Sequence, residues 1–337
     1  MNTKARSLVL LVVVVLLALG GAGGYGAWAY ARQQEQSRAP SEASIASAAA
    51  AGPLIYFRNT ASGQGQGLVA TVPVGDPQGP RTLTNQACDR IYVAADRRIC
   101  LHAKIGLANT TDEEILDADW HLLRTRTLDG APNRARLSAD GTLAASTVFV
   151  AGTSYLGGFS TATEISASDG QSFGNLENFT INIPGVTLTA AERNVWGVTF
   201  AHDGDTFYAT VGSGDRNWLV RGSIKQRTLT AINTGVECPS LSPDGTRIAF
   251  KIKPADPNEQ KTRILAVLDL ATGKVTTLAE GRNVDDQAEW LNDNTVLYGL
   301  ARGAPAGDSD IWSVPADGSG KPTLFIEHAW SPSVVRQ

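Results

Sequence analysis

The chain is poor in the residues that carry most protein chemistry. It holds four histidines and three cysteines in 337 residues. The histidines are His102, His121, His202 and His328. None stands in His-x-x-x-His or His-Glu-x-x-His spacing, so a locally encoded zinc site is excluded. They read as turn and strand-end residues in different repeats, with His202 inside an Ala-His-Asp-Gly turn. The cysteines form no Cys-x-x-Cys pair, which excludes thioredoxin-type redox chemistry. Charge of one sign is missing too: 29 Lys and Arg face 33 Asp and Glu, for a net −4. With no basic cluster to neutralise phosphates, nucleic acid is excluded as a partner. "GDPQGP", "SGDRN", "DGSGKP" and "ADPNEQK" lack the twelve-residue ligand ladder of a calcium loop. No cofactor follows from any of these features.

A long apolar run is present at the N-terminus. Lys4 and Arg6 precede "SLVLLVVVVLLALGGAGGYGAWAYA", Ser7 to Ala31, which carries no charge. As a helix these residues reach roughly 37 Å, more than the ~30 Å hydrocarbon core. Trp28 and Tyr30 stand where interfacial aromatics belong, and the basic flank places the N-terminus inside. No cysteine ends the run, which excludes a lipoprotein anchor there. The chain thus divides into a cytoplasmic N-terminus (1–6), a transmembrane signal anchor (7–31), a flexible linker (32–52) and an extracytoplasmic folded domain (53–337). The alternative is a signal peptide cleaved at Ala29-Tyr30-Ala31, giving a secreted protein. The linker, "QQEQSRAPSEASIASAAAAG", is small and polar and reads as a free tether.

The folded domain repeats one hairpin. In "CPSLSPDGTRIAFKI", Cys238 to Ile252, proline presets φ in a type I turn and Gly245 takes the left-handed position after Asp244. "RLSADGTLAASTVF" repeats it with Asp140 and Gly141. "TFAHDGDTFYAT" does so with Asp203 and Gly204, and "EWLNDNTVLYGL" with Asp293 and Asn294. There asparagine, the next best left-handed residue, replaces glycine. "DRIYVAADRRICLH" is a worn copy, and "AWSPSVV", Ala329 to Val335, is a truncated one. With Ile91, Leu137, Phe200, Leu241, Trp290 and Trp330 as markers, the spacings are 46, 63, 41, 49 and 40 residues. Such periods belong to solenoids or propellers. A second hairpin lies in every interval, so each repeat supplies four antiparallel strands, one propeller blade. The expected fold is an all-β, six-bladed β-propeller. "AWSPSVV" is expected to close the ring beside "PLIYFRN", Pro53 to Asn59, as a terminal clasp that removes an open edge.

The recurrent L-S-x-D-G-x-x-x-A pattern at "LSPDGTRIAFK" resembles the WD-repeat-like units of the TolB C-terminal domain and related propellers. The resemblance covers about five copies and implies a six-bladed extracytoplasmic propeller whose usual role is protein interaction in the bacterial envelope. The pattern also occurs in propellers of prolyl-oligopeptidase-type peptidases and some polysaccharide lyases. This chain departs from TolB in having a membrane segment and linker where TolB carries an α/β domain. A hydrolase of the peptidase type needs a Gly-x-Ser-x-Gly nucleophile elbow on an α/β domain; no such elbow is expected, and the propeller leaves no residues to build that domain.

The sites expected are therefore structural. Cys88 and Cys100 flank the worn hairpin and are expected to pair in an oxidising compartment, leaving Cys238 free. Tryptophans 196, 218, 290, 312 and 330 fall on strands and are expected to pack between blades. "SYLGGFSTATEISASDGQSFGNLENF", Ser154 to Phe179, lies in the longest interval and reads as an extended rim insertion, a candidate binding surface. The function expected is a non-enzymatic scaffold that binds a protein partner in the envelope through one face. The alternative is an envelope hydrolase or lyase acting at the central channel, which acids or histidines gathered at the channel mouth would favour.

Overall fold

The computed structural model describes residues 3–48, 52–106, 108–150, 160–189, 193–254, 258 and 262–336. One helix, α1 (Thr3–Arg38), holds a span, Val13–Arg32, long and apolar enough to cross a bilayer. Beyond it the secondary structure is almost wholly strand. The first blade takes β1 (Leu54–Asn59), β2 (Leu68–Pro73) and β3 (Thr82–Ala87). The second takes β4 (Arg90–Ala94), β5 (Arg97–Lys104), β6 (Thr110–Leu116) and β7 (Leu122–Asp129). The third takes β8 (Ala131–Leu137), β9 (Leu143–Val150), β10 (Ser160–Ala167) and β11 (Ser172–Asn175). The fourth takes β12 (Thr180–Asn182), β13 (Asn194–Phe200), β14 (Thr206–Ser213), β15 (Arg216–Ser223) and β16 (Thr228–Thr234). The fifth takes β17 (Glu237–Leu241), β18 (Arg247–Ile252), β19 (Ile264–Asp269) and β20 (Val275–Thr277). The sixth takes β21 (Glu289–Asn292), β22 (Thr295–Ala301), β23 (Ser309–Pro315) and β24 (Thr323–Ile326). The last strand, β25 (Ala329–Val335), returns to the first blade, whose order is β25-β1-β2-β3. Leu54 pairs with Val335 and Asn59 with Ala329. The inner strands β25, β4, β8, β13, β17 and β21 touch one another in sequence and close a ring.

The repeat turns show why the hairpins form. Ser242 Oγ donates to Asp244 Oδ1 at 2.5 Å, and Thr246 N donates to the same oxygen at 3.0 Å. Gly245 follows at φ +72°, a conformation that costs a residue without Cβ little. Ser138, Asp140, Gly141 and Thr142 repeat the arrangement, and Asp203 accepts from Asp205 N and Thr206 N before β14. Burial pushes the Asp244 carboxyl up, but the Ser242 and Thr246 donors outweigh it and hold the group at about 2.

The turn at Asp293-Asn294 is different. Asn292 pairs directly with Thr295, so the loop is too short for the extra left-handed residue. Asn294 is absent from the left-handed residues, and its N–H instead bonds Asn292 Oδ1 at 2.9 Å. Asp293 serves the neighbouring blade: its Oδ1 accepts from Asp244 N at 3.0 Å and its carbonyl accepts from Arg247.

Two further expectations are corrected. The linker is not free. Helix α1 continues through Arg38, and the chain then runs along the first blade. Ala39 O accepts from Gln64 N, Glu42 N donates to Ser62 O, and Ile45 bridges Arg81 in parallel. An edge strand offers such a segment backbone partners that composition does not reveal. The rim insertion also dissolves in its described part: residues 160–179 form β10, β11 and a 3-10 turn, Leu176–Asn178. Part of the extra length forms β12, which pairs with β16 in parallel. Ser154–Phe159 lies outside the described residues, as does most of "ADPNEQK".

The core lies between blades. Trp290, Tyr298, Phe57, Phe179 and Phe207 are buried. Trp290 Nε1 donates to Ser240 O at 2.8 Å, tying the sixth blade to the fifth. Trp196 and Trp218 are buried as well, and the Phe207 ring lies where a Cβ on Gly222 would meet it at 2.3 Å. Glycine there lets the ring lie flat on the adjacent strand.

Candidate functional site: the axial channel

The inner strands aim side chains at the axis. Arg136 (β8), Thr199 (β13), Ser240 (β17) and Glu289 (β21) meet there, each immediately preceding a repeat marker. Together with Tyr92, His202 and Arg336 they line a cavity of about 220 Å³ that opens among the hairpin turns. Leu137, Phe200, Leu241 and Val334 supply its apolar part.

The floor is a buried charge network. Arg136 pairs with Glu289, both nearly inaccessible, and also donates to Ala288 O at 3.0 Å. Its guanidinium lies 4.4 Å from the Tyr92 ring centroid. Arg336 approaches the other Glu289 oxygen at 3.6 Å. Burial pulls the Arg136 guanidinium down, but Tyr92 and Glu289 outweigh it and hold it above the ordinary value. Burial and the Glu289 charge raise the Tyr92 hydroxyl. Below this layer Arg90 pairs with Asp286 at 2.9 Å and stacks on Trp330. Arg134 donates to the carbonyls of Asn133 and Asp285. Burial, joined by the like charge of Arg134, lowers Arg90 to about 10. The cavity left at that level is about 20 Å³, room for a single water.

The expected structural sites are found as follows. Cys88 and Cys100 form a disulfide across the β4–β5 hairpin, Cα–Cα 5.4 Å, and Cys238 is free and buried. Asp140, Asp203 and Asp244 sit in the hairpin turns, outside the axial network. His102 and His121 do not lie in different blades: β5 holds one and the β6–β7 turn the other. His202 is exposed at the channel mouth, and His328 bonds Asp308 between the sixth and first blades. Asp117, Asp119 and His121 gather their ligand atoms within 4.8 Å. Asp117 Oδ1 there accepts from the N–H groups of Asp119 and His121 at 2.9 Å, which is turn chemistry. One Gly-x-Ser-x-Gly string does occur, Gly170 to Gly174. It joins β10 to β11, strand to strand, with Ser172 Oγ accepting from Gly174 N, so it is no strand-to-helix elbow.

No family model matches the chain, and no curated protein matches it. Among solved structures it is similar to a chain of a nidogen/laminin complex, at 10% identity over 84% of this chain and 97% of that one, TM-score 0.52. It is also similar to the β-propeller domain of the trilobed protease from Pyrococcus furiosus, at 10% identity over 69% of each chain, TM-score 0.41. The tricorn protease matches at 11% identity over 88% of this chain, TM-score 0.48; the chain spans 34% of that protein. At such identities the likeness is one of fold alone.

Proposed function

We propose that the protein is a membrane-anchored bacterial propeller of the TolB-like kind, held outside the cytoplasm by α1. It acts as a non-enzymatic scaffold and binds an envelope protein through the face on which the hairpin turns surround the channel mouth. One observation carries the reading: the acids at the axis are already engaged. Glu289 is taken up by Arg136 and Arg336, and Asp286 holds Arg90 through Oδ1, while its Oδ2 is buried without a hydrogen-bond partner. A general acid or base needs a carboxyl that reaches substrate and is matched to the working pH. A carboxylate locked to buried arginines is instead a brace between strands.

The test uses the full chain in native membranes, carrying a photo-crosslinking residue at His202 on the turn face or at Asp285 on the opposite face. A discrete protein adduct from His202 alone is expected. No adduct, together with cleavage of an envelope peptide or polysaccharide that Glu289→Gln abolishes, would establish the hydrolase or lyase alternative. The protein should also resist carbonate extraction; a mature N-terminus at Arg32 would mean secretion instead.

A further inference from the structure

Long outer strands in this ring carry a cover, and short ones do not. β3, six residues long, is met at its start by the linker, where Ile45 bridges Arg81, the residue just before the strand, in parallel. β16, seven residues long, is covered in parallel by β12, through Thr180–Thr228, Ile181–Leu229 and Asn182–Thr230. β11, β20 and β24 have four, three and four residues, and an edge that short offers little to pair with. β7 breaks the pattern. It has eight residues and, among the described residues, pairs with β6 alone.

An edge of that length is a row of unpaired backbone donors and acceptors, which proteins usually guard with lysine, proline or a bulge. On β7 the one such guard is a bulge at Leu123, where the register to β6 slips between Ile115–Arg124 and Leu116–Leu122; the rest of its accessible side shows Thr125 and Thr127, and Leu122 and Leu123 are both at least half exposed. Its two arginines are turned inward: Arg124 and Arg126 bond the buried Glu113 at 3.0 and 2.7 Å. The charge at the two ends of the strand is acidic, while beside its middle the exposed Lys104 is paired with Asp112, which faces Thr127. Asp117 and Asp119 precede the strand, and Asp129 ends it.

We propose that the outer edge of β7 docks an extended segment of a partner protein as a fifth strand. The segment runs parallel to β7, because both covers the molecule already makes are parallel. Its centre carries β-branched or apolar residues that shield Leu122 and Leu123. Its ends are basic, facing Asp117 and Asp119 at one end and Asp129 at the other. Main-chain bonds supply the affinity and the side-chain pattern the specificity. This lateral site is separate from the channel face and does not rest on the reading above.

The probe is a fluorescein-labelled Lys-Lys-Val-Thr-Val-Thr-Val-Lys-Lys peptide added to the full chain in detergent. Amide exchange over Leu122–Asp129 should slow by about tenfold or more at saturation, and Leu123→Lys should weaken binding by about tenfold. Leu123 is exposed, so that variant should keep the parent's melting temperature, which is measured alongside. A probe with proline at its centre should give no protection, and one with glutamate ends should bind more weakly. Equal binding by the Leu123→Lys variant, or unchanged exchange at β7, overturns the proposal. Protection of β7 by self-association without probe would give the edge to a second copy and equally overturn it.

Discussion

Glu289 is the residue on which the axis turns. It is almost wholly buried and compensates Arg136 across the channel. Glu289→Ala should cost about 3–5 kcal/mol, because a buried guanidinium is then left without its counter-charge; urea unfolding reads this, and an unchanged midpoint removes the pair as a brace. Glu177 makes a different case. Burial pushes its carboxyl up to about 7 against the lowering pull of the Val195 backbone N–H and of Arg193, and its Oε1 is buried without a partner. An acid raised by folding resists ionisation, so the penalty is absent below about 4.5 and grows as pH rises through about 7. Glu177→Gln should therefore match the parent at acidic pH and exceed it in melting temperature at alkaline pH. A variant less stable at alkaline pH would contradict this. Asp244 has the opposite sign: its contribution is present above the ordinary aspartate value and lost as pH falls toward about 2.

Elements were legible in the sequence where the signal was local. The Ser-x-Asp-Gly turns could be read because one oxygen and one glycine decide each of them within four residues. The Cys88–Cys100 pair could be read because both cysteines flank one hairpin. That bridge closes a short loop, and reducing it should cost about 3 kcal/mol. Non-reducing peptide mapping should recover Cys88 joined to Cys100, with Cys238 alkylated only after unfolding; any bridge to Cys238 would contradict the pairing. The axial network was not legible, because Arg136 and Glu289 stand 153 residues apart and no spacing rule joins them. A signal was nonetheless present: Arg136, Thr199, Ser240 and Glu289 each stand one place before an apolar marker, where a period of two turns the side chain to the other face. The docked linker was hidden for another reason. Its hold on Arg81 is made by backbone groups, and any sequence supplies those.

At the scale of the whole molecule, Arg81 joins the linker to the closure of the ring. Its backbone bonds Ser44 and Ala46, while its side chain donates to Asn59, Glu327 and His328. The fragment 39–337 should therefore melt above 53–337. Both should melt well above 39–330, which lacks most of β25, and each should unfold in one cooperative step, since every blade packs on two neighbours. Equal midpoints for 39–337 and 39–330 would sink the clasp as a structural bond. The register of that clasp has a further consequence. Leu54 faces Val335 directly, as Asn292 faces Thr295 across the tight turn of the sixth blade. The clasp is thus a hairpin with its turn cut open. A short Asp-Gly bridge between β25 and β1 would restore the turn, and new termini could then be opened at any other hairpin. The order in which the blades are written along the gene is, for the ring, arbitrary.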